Sequence, residues 1–184
     1  EGRRVVNNIQ RSASLFLVKN IFSFLLSLFS VVFMMSYPLR PSQISLISMF
    51  TIGIPGFFLA FQPNKDVIKG HFLTNVVLKA LPAGLTDVLA VAAMAVFGQT
   101  FGLGETDIST AGTMLLAIVG FMILFKICEP FNWLRGCVWG GSVIGLLGCS
   151  IFLPKLFAIT GMSTKCIMLF VVFSIATEPL FRYL

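Results

Sequence analysis

Six apolar runs, each close to the twenty residues needed to cross the hydrocarbon core of a bilayer, dominate this chain. Lipid offers no water to an open backbone, so a run of that kind must close its hydrogen bonds within itself as a helix. The runs cover roughly residues 13–36, 43–61, 74–97, 111–128, 137–153 and 164–181. Segments rich in proline, glycine and polar residues separate them: SYPLRPS, FQPNKDVIKGH, GQTFGLGETD, EPFNWLRG and PKLFAITGMST. A soluble fold fails on surface area. Of the 184 residues 57% are hydrophobic and 11% charged, too little polar cover for so small a body. The expectation is an all-α membrane protein, a six-transmembrane-helix bundle forming a single domain over residues 1–184.

The net charge of +6 does not point to nucleic acid, because the charges sit in loops beside apolar spans. Six crossings place both ends on one side. That side collects Arg3, Arg4, Arg11, Lys65, Lys69, Lys126, Arg135 and Arg182, while the other holds Arg40, Lys155 and Lys165 beside Glu105 and Asp107. The excess of basic residues predicts that both termini are cytoplasmic. The opening EGRRVVNNIQR has no cleavage site and reads as a polar helical lead-in, not a signal peptide. Cys128, Cys137, Cys149 and Cys166 form no CxxC pair and read as small buried apolar residues. The chain has no Walker loop or dinucleotide loop, and its spans do not divide into inverted repeats.

Polar groups inside the spans carry the functional signal. Lys19 and Asn20 interrupt LFLVKNIFSFLLSLFS, where a charge costs a few kcal/mol even on the gentlest scales. Asn20, Ser23, Ser27 and Ser30 fall on one helical face; the serines suit close packing, whereas the Asn20 amide must find partners in a dry setting. The second span sets Ser45, Ser48 and Thr51 three apart before Gly53-Ile54-Pro55-Gly56. Pro55 has no N–H, so the Thr51 carbonyl loses its helical donor. That carbonyl and the Ser48 and Thr51 hydroxyls would then share a turn, offering the oxygens that hard cations want. A simple proline kink is the alternative. The third span carries Lys79, Pro82 and Asp87, and the last carries Glu178; Lys79 lies near the cytoplasmic end and can snorkel. In the fifth span, glycines at spacing four (Gly136/Gly140, Gly141/Gly145) predict close helix packing.

Two stretches together resemble a family. EGRRVVNNIQRSASLFLVKN is similar to the stalk and fifth transmembrane helix of type II P-type ATPases. PSQISLISMFTIGIPGFFLAFQPNK resembles their sixth helix, with its leading proline, glutamine, Gly-x-Pro break and closing proline. The closest likeness is to bacterial pumps grouped with the calcium-transporting ATPases, of which this chain would be the region from the fifth to the tenth helix. The resemblance implies that residue 1 is a cut end. It also implies that the catalytic domains and first four helices lie elsewhere in the pump, together with its use of ATP and Mg²⁺. No cofactor and no catalytic residue is expected in this chain. Carried over position by position, Asn20 falls on an asparagine ligand and Ser23 replaces a glutamate ligand. Ser48 replaces an asparagine, Thr51 keeps a threonine, and Ile52 replaces an aspartate. TMLLAIVGFMILF offers no counterpart to the eighth-helix glutamate. The resemblance thus implies Asn20, Ser48 and Thr51 as cation ligands at a site stripped of carboxylates.

Lys19 falls where gastric proton–potassium pumps also carry a lysine, which implies a built-in cation occupying one ion site. From the residues themselves, a structural ion pair with Asp87 or Glu178 is the alternative. Helix rise sets Lys19 and Glu178 at similar depths and Asp87 deeper by roughly 9 Å. The expected function is the membrane half of an ATP-driven cation pump in a bacterial plasma membrane. The cation would be divalent, with calcium favoured and magnesium or manganese as alternatives. A stand-alone six-helix channel or carrier and a non-catalytic membrane subunit are the competing readings.

Overall fold

The structure, a computed structural model, describes residues 2–61, 71–129, 132–157, 159 and 161–183. Residues 62–70, with Lys65 and Lys69, lie outside the described residues, as do the side chains of Arg3, Arg4, Arg11 and Lys79. The chain runs through α1 (Gly2–Val32), α2 (Pro41–Ser48), a π-helical turn (Met49–Gly53), α3 (Ile54–Ala60), α4 (Phe72–Thr100), α5 (Glu105–Cys128), α6 (Trp133–Phe152) and α7 (Thr164–Tyr183). With α2, the π turn and α3 counted as one composite span, six helical stretches among the described residues are long and apolar enough to cross a membrane.

Helix ends depart from the hydropathy boundaries for local reasons. α1 stops at Val32, and Met34 takes a left-handed φ of 51° before the irregular passage to Arg40. Pro38 and Pro41 disfavour helix at the residues before them. α2 then opens with Pro41 at its first turn, where the Gln43 side chain accepts the Arg40 N–H at 3.0 Å. α5 begins at Glu105 and not near residue 111, because Glu105 and Asp107 meet the positive end of the helix dipole. α6 begins at Trp133, its N-terminus closed by Asn132, whose side chain accepts the Arg135 N–H at 2.9 Å. Buried Arg135 also donates to the carbonyls of Cys128 and Glu129, at 3.5 Å each, and so caps α5. One arginine thereby fixes the α5–α6 corner.

α4 is the central helix, packed on α1, α5 and α7, while α6 rests on α5 and the composite span. Phe22, Leu26, Leu46 and Leu124 fill the main core, and Met94, Leu115 and Cys166 join α4, α5 and α7. Gly84 lets α1 approach: a Cβ there would stand 2.7 Å from Ile21 Cγ2. Lys126 lies 4.2 Å from the centre of the Phe181 ring and ties α5 to α7. α6 and α7 leave Ile144, Ile151, Phe152, Val172 and Ile175 exposed. Lipid tails are as apolar as these side chains, so the exposure carries no penalty in a bilayer.

Two packing expectations need correction. Gly136, Gly140 and Gly141 meet open space, and only Gly145 of that series is pressed by a neighbour, the Phe50 ring. The small-residue stripe of α6 therefore faces away from the described bundle for most of its length. Of the cysteines, Cys128 and Cys166 are buried as expected, but Cys137 is exposed; all four are free thiols.

Candidate cation site

The π turn builds one wall of the site. Pro55 cannot donate, and its ring would crowd the carbonyl one turn back in a regular helix. The chain answers by widening a turn: the Ile54 N–H reaches the Met49 carbonyl, five residues back. The expected break is therefore not an opened backbone but a continuous helix with one extra residue, the form in which π turns usually occur. Thr51 lies in that turn, 4% exposed, and its hydroxyl donates to the Ile47 carbonyl at 2.7 Å. A hydroxyl that donates its proton keeps its lone pairs, so Thr51 Oγ1 still accepts. Gly120 lets α5 close on the turn, since a Cβ there would sit 2.9 Å from Thr51 Cγ2.

Between this turn, α1, α4 and α5 lies a cavity of about 40 Å³, whose polar lining is Lys19, Ser48, Thr51 and Asp87. The volume suits one water molecule or one unhydrated ion. Asp87 is 3% exposed, and its Oδ1 has no hydrogen-bond partner among the described residues. Lys19 is partly buried and, among the described residues, stands in no ion pair. The two opposite charges thus face one space without touching across it. No cluster of three or more His, Cys, Asp or Glu side chains is placed to hold a metal among the described residues. The oxygens gathered here are two hydroxyls and one carboxylate.

The remaining candidates fall elsewhere. Asn20 is exposed and off the cavity, because one residue along a helix is a turn of about 100° from Lys19. Ser23 sits beside the Tyr37 phenol; burial pushes that phenol up, and the Ser23 contact partly offsets it. Pro55 is buried and acts through the backbone, by setting the π turn. Glu178 is not a partner of Lys19: it pairs with Arg182, one turn along α7, at 2.6 Å, both side chains largely exposed. Helix rise alone favoured Glu178 because it ignores which face each residue occupies. Asp87 entered the sequence reading as a deep intramembrane carboxylate, paired or functional, and as a charge partner for Lys19; helix packing places it on the cavity.

No family model matches the chain. It is 37% identical over 172 residues to the probable cation-transporting ATPase exp7 of Streptococcus pneumoniae, a match covering 89% of this chain and 22% of that protein. This chain belongs to the membrane region of the P-type cation-transporting ATPases. The calcium-transporting ATPase CtpE of Mycolicibacterium smegmatis is 32% identical over 149 residues, 73% of this chain and 19% of the relative. A calcium-transporting ATPase of Bacillus subtilis is 27% identical over 141 residues, 72% of this chain and 15% of the relative. The chain spans about a fifth of the length of the first two relatives. As a P-type ATPase segment with six membrane-length helices, it is a multi-pass membrane protein.

Proposed function

We propose that this chain supplies part of the cation site and pathway of an ATP-driven pump in a bacterial plasma membrane, with both termini cytoplasmic. The cation is divalent, calcium before magnesium or manganese. One observation carries the reading: a cavity of single-ion size onto which the end of α2 and the π turn that follows it present Ser48 and Thr51, opposite α1, α4 and α5. Hydroxyl oxygens are hard ligands, and a widened turn changes register with little cost, which suits a site that must bind and release. The names of the relatives support calcium, and the basic residues on one side of the membrane support the orientation. ATP and Mg²⁺ act on the rest of the pump. Asn20 belongs to this reading as the group turned toward the pump's remaining helices, because an exposed amide within a span needs a partner away from water.

Full-length pump reconstituted in vesicles tests the proposal through ATP-driven calcium uptake and calcium-stimulated phosphorylation. Replacing Ser48 and Thr51 together by alanine should raise the calcium concentration needed for half-stimulation, because two ligand oxygens are lost. Calcium flux that runs without ATP, or an unchanged calcium requirement in the normally expressed double variant, would overturn it.

A further inference from the structure

We propose that Asp87 on α4 is a direct ligand of the transported cation and that Lys19 is its resident counter-charge when the cation is absent. The inference rests on the pump reading above and names a ligand that this reading does not use. Three observations meet at Asp87. Its side chain is 97% withdrawn from the surface, at 3% exposure, yet Oδ1 has no partner among the described residues. It lines the same cavity as Ser48 and Thr51. That cavity, about 40 Å³, leaves room for one ion between the carboxylate and the other walls.

A buried carboxylate oxygen without a hydrogen bond is costly, so a chain retains one where something else arrives to satisfy it. Lys19 supplies a cation on the same cavity but, among the described residues, is not engaged in an ion pair. Its ammonium is a compact charge on a flexible four-carbon stem, able to approach a carboxylate and to withdraw. A divalent ion seated on Asp87 is attracted by the carboxylate and repelled by the ammonium, so Lys19 weakens binding while the site is filled. When the ion leaves, Lys19 is the charge at hand to neutralise Asp87. The pair therefore sets the affinity of the site and stabilises its empty state.

Equilibrium calcium binding and thermal unfolding of the purified full-length pump test this, with Asp87→Asn, Asp87→Glu, Lys19→Met and the Asp87→Asn/Lys19→Met double variant. Asp87→Asn should weaken calcium binding by roughly tenfold or more, since ligand charge governs hard-cation affinity. Lys19→Met should tighten calcium binding in the native background, and by a clearly smaller factor beside Asp87→Asn, where only the direct repulsion between ammonium and ion is left to remove. Asp87→Glu keeps the charge but fills cavity space, and should bind with a preference shifted toward the smaller manganese ion. A calcium affinity untouched by both Asp87 variants overturns the proposal. So does a Lys19→Met effect that is as large without Asp87 as with it. Lower stability in both single variants, restored in the double variant at unchanged calcium affinity, overturns it in favour of a structural ion pair. If the native pump binds calcium and the Asp87 variants behave the same, only this proposal fails. If the native pump binds none of calcium, magnesium and manganese, the pump reading fails with it.

Discussion

At the scale of the residue, the site depends on one position that carries no side chain. Gly120 allows α5 to rest on Thr51, with 2.9 Å left between a hypothetical Cβ and Thr51 Cγ2. Gly120→Ala must displace the threonine or the helix, and overpacking of this kind costs about 1–3 kcal/mol. The variant should melt lower in detergent and require more calcium for half-stimulation in the full-length pump. Gly136→Ala is the matched control: its Cβ would meet open space, so neither property should move. An equal loss in both variants would mean that the contact at Gly120 is not what matters. Arg135 illustrates the same scale outside the site, since its guanidinium closes α5 while its amide hydrogen is held by Asn132. Asn132→Ala removes that cap and should lower stability by about 1 kcal/mol without altering the calcium requirement.

The composite second span is the element on which the site turns. Two short helices joined by a π turn place Thr51 inward and leave Gly53 exposed on the same stretch of chain. Pro55→Ala restores an N–H at position 55, allowing a regular helix to compete with the widened turn. Losing one residue from a turn rotates everything on one side of it by about 100° relative to the other. Thr51 and Ser48 would then no longer face the cavity together. The full-length Pro55→Ala pump should therefore keep its expression and thermal stability while losing calcium-stimulated phosphorylation. Normal calcium stimulation in that variant would show that the π turn is only an accommodation of the proline.

Across the whole molecule, α4 is the hub and α6 and α7 form an apolar flank. The sequence contains no Walker-type phosphate loop, and the proposed function assigns phosphoryl transfer to the rest of the pump. The chain expressed by itself should therefore show neither ATP hydrolysis nor a phosphorylated intermediate. Metal-dependent ATPase activity from the pure chain would contradict the assignment of catalysis to other parts of the pump.

Helix number and class were legible in the sequence, because the bilayer sets a length of apolar chain and forbids an open backbone within it. The location of the break at Pro55 was legible for an equally local reason, the missing N–H. Helix ends were less so, since Asn132 and Glu105 start α6 and α5 ahead of the apolar runs through cap and dipole contacts that hydropathy does not register. The form of the break also escaped sequence reasoning: whether a proline opens a helix or widens it depends on the packing around it, here Gly120 of α5. Only the tertiary structure decided which polar groups meet. Asn20 and Lys19 are neighbours in the chain, yet the helix turns one outward and the other toward the cavity. Helix rise made Glu178 the better-placed partner for Lys19 and set Asp87 deeper. Contact between α1 and α4 brings Asp87 to the cavity, while the local pair with Arg182 removes Glu178. Sequence spacing determines which residues share a helix face; only the packing of one helix on another determines what that face meets.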